Sequence, residues 1–204
     1  GHQGSMTIDV LSALALFALI TSITPGPNNL MLMTSGTNFG FRRTIPHMLG
    51  VGLGFPTMCF LVGLGVMKLF DLWPMSYTVL TVVSVLYMLY LAWKIANAAP
   101  MGDGKTEGKP LTFLQAASFQ WVNPKAWSMA LSAITLYASG RDLISVLWVA
   151  GMYVLCSCIS TTSWTVLGTG IRHLLANPVR LRIFNWSMAA LLVLSLVPVL
   201  LNQS

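Results

Sequence analysis

ITPGPNNL, residues 23–30, decides how this chain is read. It lies in the most apolar part of the sequence, where a helix in lipid is expected to run unbroken. Pro25 and Pro27 each remove a backbone N–H and free the carbonyl four residues earlier, those of Thr21 and Ile23. In hydrocarbon such groups cost several kcal/mol each unless satisfied. Irregular backbone therefore survives only inside protein or along a water-filled cavity. The stretch predicts a first helix that is broken within the membrane.

That the solvent is a membrane follows from composition. The 204-residue chain is 55% hydrophobic and 8% charged, against about 25% charged in a soluble domain. Its mean hydropathy is +0.74. The charges cluster between long apolar runs, which read as membrane-spanning helices. The length allows one compact membrane domain and no soluble domain. Gly1 to Ser5, ahead of Met6, reads as an expression-tag remnant, and the run from Ile8 reads as a retained helix because it lacks a basic leader and a cleavage site. Cys59, Cys156 and Cys158 sit in apolar runs and read as small buried hydrophobes. The net charge of +6 lies beside the spans, which points to topology and anionic headgroups and not to nucleic acid.

Six apolar segments follow. They cover about 8–39, broken at Pro25–Pro27; 44–68; 74–96; 111–138, broken at Asn123–Pro124; 143–171; and 178–201. The polar stretch NAAPMGDGKTEGKP joins the third to the fourth. Arg42 and Arg43, then Lys94, Lys105 and Lys109, then Arg172, Arg180 and Arg182 mark alternate connections. By the positive-inside rule those connections are cytoplasmic and both termini face outward.

The two halves share a pattern. A helix broken by TPGPNN leads to FRR and a glycine-bearing helix; a helix broken by QWVNPKAW leads to GRD and VAGMYV. Three helices per half make the repeat inverted, and matched broken helices are the best sequence pointer to a transporter binding site. The expected fold is an all-α polytopic membrane protein of six transmembrane helices in two inverted three-helix repeats, with the first and fourth helices broken. The boundaries expected are 1–5 for the tag remnant, 6–97 for the first repeat, 98–112 for a cytoplasmic linker and 113–204 for the second repeat.

From Asn28 to Phe39 is roughly 16 Å of helix, about half a bilayer, and Lys125 lies roughly 20 Å into the fourth segment. The breaks are thus expected to meet near the midplane. A lysine at such depth costs roughly 2.5–3.5 kcal/mol and reads as functional. Pro124 frees the carbonyl of Gln120. Pro25, Gly26, Pro27, Asn28, Asn29, Gln120, Asn123, Pro124 and Lys125 are the expected substrate-binding residues. Lys125 and the N–H groups at the start of the second half-helix suit a carboxylate. Freed carbonyls and the amide oxygens of Asn28, Asn29 and Asn123 suit an ammonium. All five acidic residues, Asp9, Asp71, Asp103, Glu107 and Asp142, fall at span ends or in connections. A dibasic amino acid would want a buried carboxylate, so a small neutral amino acid fits better. Lys125 and His47 are the remaining titratable candidates for a coupled proton, with His47 read as a span-end residue. Trp121 and Trp127 flank the second break as candidate cavity walls.

TPGPNNLMLMTSGTNFGFRRTIPHMLGVGLGF, YLAWKI and FQWVNPKAW together resemble the LysE/RhtB family of amino-acid exporters, most of all the branch of cysteine/O-acetylserine and homoserine/threonine exporters. The resemblance covers nearly the whole chain after the tag. It implies a bacterial inner-membrane exporter driven by the proton motive force, and its pattern maps onto Pro25, Gly26, Pro27 and Asn28 and onto Asn123, Pro124 and Lys125. The acidic residue of the family's basic-amino-acid exporters has no counterpart in LGVGLGFPTM. The expected partners are an amino-acid substrate, protons, the lipid bilayer and, as an open alternative, a second copy of the chain; no cofactor or metal is expected. No Gly-x-Ser-x-Gly, His-Glu-x-x-His or paired-aspartate motif points to an enzyme. A non-transporting accessory protein or a solute channel is the alternative.

Overall fold

The computed structural model describes residues 7–98 and 108–201. The tag remnant, most of the 98–112 linker with Asp103, Lys105 and Glu107, and the residues after Leu201 lie outside the described residues. Those described form helices α1 (Ile8–Ile23), α2 (Pro27–Phe39), α3 (Phe41–Leu64), α4 (Met67–Leu72), α5 (Met75–Ala96), α6 (Phe113–Phe119), α7 (Pro124–Tyr137), α8 (Leu143–Ile171), α9 (Pro178–Leu194) and α10 (Val197–Leu201), with no strand among them. Three helical stretches are long and apolar enough to cross a membrane: Phe41–Leu64, Met75–Ala96 and Leu143–Leu175. The pair α1 and α2, bent by 56° at its break, makes a fourth if counted as one span. The expected fourth segment is divided into α6, a 3-10 turn at Gln120–Val122, and α7; the sixth is divided into α9 and α10.

Proline alone does not decide where a helix breaks. α3 runs through Pro46 and Pro56 without interruption, because one proline removes a single hydrogen bond. In the 23–30 stretch two prolines flank Gly26, Thr24 turns extended, and the chain restarts as α2 with Pro27 at its first position, where a missing N–H has no cost. Asn123 plays the restarting role in the second half: its Oδ1 accepts from the Lys125 N–H at 3.0 Å, with Pro124 at the first helical position. Gly40 ends α2 and opens α3 with φ +85°, a conformation that glycine adopts without a steric penalty.

The burial pattern is that of a molecule solvated by lipid. Leu16, Leu86, Trp93, Leu155, Ile183 and Trp186 are exposed, whereas Asn29, Asn38, Thr44, Gln120, Asn123 and Asn185 are buried. Apolar surfaces outward and polar contacts inward suit helices in a bilayer. α2 and α8 approach to backbone contact. A Cβ on Gly36 would lie 2.4 Å from the Thr165 oxygen, and one on Gly168 would lie 2.1 Å from the Met33 oxygen. The Thr37 hydroxyl donates to the Gly168 carbonyl at 3.0 Å along the same seam.

The connections sort by charge. Asn38, near the end of α2, lines one cavity with Lys94 and Lys109 and a second with Arg172 and His173. Arg43 stacks over Phe39 at 5.1 Å. The connections rich in basic residues therefore meet around one end of α2. Arg141 and Lys68, from the other two connections, both approach Gly65.

Candidate functional site

The break between α1 and α2 leaves four consecutive carbonyls, of Thr21 to Thr24, without helical partners, as helix ends do. Each is satisfied by a side chain. The Thr24 hydroxyl donates to Thr21 O at 3.1 Å. Asn29 Nδ2 and the Ser160 hydroxyl each donate to Ser22 O at 2.7 Å. Trp164 Nε1 donates to Ile23 O at 2.9 Å. Asn29 Nδ2 also reaches Thr24 O at 2.8 Å, and Lys125 Nζ donates to the same oxygen at 2.6 Å. The freed carbonyls are thus capped by α2, α8 and the second broken helix.

A second cross-link joins the breaks. Asn28 and Gln120 exchange amide hydrogen bonds of 2.8 and 3.0 Å, and Gln120 Nε2 also donates to Ala116 O at 2.9 Å. Gln120 is fully buried, so losing this pairing would leave its amide oxygen unsatisfied in a dry environment. Such a group costs about 1–3 kcal/mol.

Between the breaks lies a cavity of about 30 Å³, room for one or two waters and too small for an amino acid. Asn28 and Asn29 of α2 face it, together with Asn123, Lys125, Ala126 and Met129 around the start of α7. Ser22 comes from α1, Val51 and Phe55 from α3, and Ser157, Ser160 and Thr161 from α8. Phe55 is fixed edge-on against Tyr153 at 4.9 Å, and the Tyr153 hydroxyl pairs with that of Thr21 at 2.9 Å. α1, α6, α7, α8 and α9 each start on a side-chain cap; α2 starts on Gly26 without one, as do α3, α4 and α5, and of these four only α2 begins at the cavity. Its first N–H groups and positive dipole end remain available to an anion.

Of the residues expected from sequence, Asn28, Asn29, Asn123 and Lys125 line the cavity. Gln120 stands behind Asn28 as its partner. Pro25 is exposed, and Pro25, Pro27 and Pro124 act through the backbone by making the breaks. Gly26 makes room: a Cβ there would lie 2.6 Å from Lys125 Cδ. The amide oxygens expected to hold an ammonium are already engaged, Asn28 by Gln120 and Asn123 by the Lys125 N–H. A ligand would have to use their second lone pairs or displace those partners.

Other expectations shift. Trp121 and Trp127 do not line the cavity. They meet edge to face with ring centres 5.5 Å apart, and Trp127 Nε1 caps the Trp121 carbonyl at 2.7 Å. Trp164, from the other half, is the indole that reaches the first break. His47 is not at a solvated span end: it is fully buried in α3 and neither ring nitrogen has a hydrogen-bond partner. Cys59 and Cys156 are buried as expected, while Cys158 is exposed. The described acids, Asp9, Asp71 and Asp142, are all exposed. The hydroxyls of Ser22, Ser157, Ser160 and Thr161 are site residues that the sequence does not single out. Ser160 and Thr161 belong to a polar cluster, Ser160 to Ser163, that reads from sequence as ordinary contacts in a helix bundle. Pattern alone does not say that Ser160 and Thr161 face inward while Ser163 is exposed.

The LysE type translocator family profile matches residues 19–202. The cysteine/O-acetylserine efflux protein of Salmonella paratyphi A is 33% identical over 166 residues, which cover 80% of this chain and 84% of that protein. The proteins of the same name from Escherichia coli strain K12 and Shigella sonnei are 32% identical over the same shares of each chain. No solved structure matches.

Proposed function

The chain belongs to the LysE type translocator family, and from that premise we propose that it is a secondary transporter exporting small neutral amino acids or their derivatives. The substrates are of the cysteine/O-acetylserine or threonine/homoserine kind. They move from the cytoplasm across the bacterial inner membrane, driven by the proton motive force. The observation that carries this reading is the junction of two broken helices at one polar cavity, closed by Lys125 Nζ on Thr24 O at 2.6 Å. The relatives' names supply the substrate class.

In this reading the substrate carboxylate binds Lys125 and the uncapped start of α2, replacing the Thr24 carbonyl on the lysine. A carboxylate is the stronger partner for an ammonium than a neutral carbonyl. The substrate ammonium takes the released Thr24 oxygen. A cavity of about 30 Å³ is far narrower than a channel that passes amino acids would need, which favours a carrier over an open channel. The exposed position of every described acid disfavours a dibasic substrate. Proton coupling falls to Lys125 or His47, because no described carboxylate is buried.

The topology proposed with it has six spans, with repeats at 6–97 and 113–204, a cytoplasmic linker at 98–112 and both termini outside. The meeting of the basic connections around one end of α2 supports that orientation.

Efflux from preloaded proteoliposomes tests the function, using labelled cysteine, O-acetylserine, threonine and homoserine with and without an imposed pH gradient. Saturable efflux that the gradient accelerates is expected. Folded, inserted protein that moves none of them would overturn the reading.

A further inference from the structure

Serines inside these helices find a hydrogen-bond partner in several ways. Ser12, Ser84, Ser163 and Ser187 each donate to the carbonyl four residues back, the usual outlet for a hydroxyl on a helix in an apolar setting. Ser22 does not. It is 9% exposed, its hydroxyl oxygen is buried, and it has no hydrogen-bond partner. It lines the cavity between the broken helices. Its neighbours are committed elsewhere: Ser160 donates to the Ser22 carbonyl, and Asn29 bridges the carbonyls of Ser22 and Thr24. An unmade hydrogen bond of this kind is unfavourable, so on the wall of a cavity with room for one or two waters the hydroxyl is free to exchange water for a ligand atom.

Taking the amino-acid exporter reading above as its basis, we propose that Ser22, with Ser157 on the α8 wall, forms a side-chain subsite that selects substrates carrying a neutral hydrogen-bonding atom at the γ position. The assignment of groups follows from charge. Lys125 and the α2 N–H groups offer only donors, which suit the carboxylate. The Thr24 oxygen offers only an acceptor, which suits the ammonium. A serine hydroxyl is neutral and both donates and accepts. It can pair with a hydroxyl or an ester oxygen and, more weakly, with a thiol, and it gains nothing from a methyl group. The cysteine and O-acetylserine in the relatives' names share that γ heteroatom, as does threonine; homoserine carries its hydroxyl one atom further out and is disfavoured by this subsite. Alanine and 2-aminobutyrate lack the γ heteroatom.

The test is competition in proteoliposomes. Efflux of labelled serine and cysteine is measured against that of alanine and 2-aminobutyrate, for the wild type, Ser22→Ala and Ser157→Ala. The wild type should prefer the heteroatom substrates, and Ser22→Ala should reduce that preference by about tenfold. Ser157→Ala should reduce it less, and it also reads the same ratio if Ser22→Ala inserts poorly. Rates that fall equally for all four substrates, leaving the ratio unchanged, would mean a structural role and overturn the subsite alone. A wild type that moves amino acids without preferring a γ heteroatom would overturn it too. A wild type that moves no amino acid would overturn the exporter reading together with it.

Discussion

Lys125 Nζ and the Thr24 carbonyl oxygen, 101 residues apart in sequence, lie 2.6 Å apart at the junction of the two broken helices. The lysine solves two problems at once. It gives a half-buried ammonium a polar partner, and it caps a carbonyl that the first break leaves without a helical partner. Thr24 O keeps Asn29 as a second donor, so the lysine can leave without stranding it.

Lys125→Met should therefore fold and insert while losing transport. We expect efflux to fall by more than about tenfold, and stability to fall by no more than about 1.5–3 kcal/mol, the range of one charged hydrogen bond. Efflux rates and thermal unfolding in detergent, measured on one preparation, check this. Wild-type efflux would refute a role for the lysine.

Gly26→Ala should act through Lys125. The backbone at Gly26 is extended, with φ −178°, so alanine meets no conformational barrier there. Its Cβ would lie 2.6 Å from Lys125 Cδ, and the flexible side chain has to move. Transport should drop in the single variant, and adding Lys125→Met should cost little further. Additive losses in this double-mutant cycle would show that the two positions act independently.

Asn28 and Gln120 should be coupled. Asn28→Ala and Gln120→Ala each break the same reciprocal amide pair. Their effects on thermal stability should deviate from additivity by about 1 kcal/mol. The fully buried Gln120 should show the larger loss when its partner is removed.

Gly168→Ala should loosen the seam between α2 and α8. The added Cβ would lie 2.1 Å from Met33 O, a backbone atom that cannot step aside. Overpacking of this kind costs about 1–3 kcal/mol. Gly52→Ala is the matched control, because a Cβ there meets nothing within 4 Å. A helix-interior alanine should leave stability unchanged or raise it slightly. Unfolding temperatures of the two variants separate packing from helix propensity.

Asp142 should make α8 sensitive to acid. The Ser145 backbone N–H, and then the Ser145 hydroxyl, donate to its carboxylate at 3.1 and 2.9 Å and hold it below the usual carboxylate range. A depressed folded-state pKa stabilises at pH above the unfolded value of about 3.9. That contribution is lost as pH falls through the folded value. Asp142→Ala should unfold at a lower temperature than the wild type at pH 7, with the gap closing in acid. A gap independent of pH would exclude the linkage.

Much of the site was legible because it is written locally. Two prolines around a glycine, and Asn-Pro-Lys in the other half, mark breaks through lost hydrogen bonds, and a lone lysine in an apolar run stands out by its charge. Those features located Asn28, Asn29, Asn123 and Lys125. Ser22, Ser157 and Thr161 carried no such mark. A hydroxyl can satisfy itself on its own helix, so its residue type does not reveal whether it faces a cavity. Trp121 and Trp127 misled for a related reason, since nearness in sequence to the break placed them beside each other and not at the cavity.

The sequence by itself determined an apolar helical chain, the positions of both breaks and two of the freed carbonyls, those of Thr21 and Ile23, because proline acts on its own segment; the Gln120 carbonyl, expected free as well, accepts from the Asn123 N–H at 3.3 Å. Only the tertiary structure decided which donors answer those carbonyls. Trp164 reaches Ile23, Ser160 reaches Ser22 and Lys125 reaches Thr24 across 141, 138 and 101 residues. Such pairings depend on how α1, α2, α7 and α8 pack, which close approaches at Gly36 and Gly168 permit. The same packing leaves the hydroxyls of Ser22 and Thr165 without a partner, and of the two only Ser22 lines the cavity between the breaks.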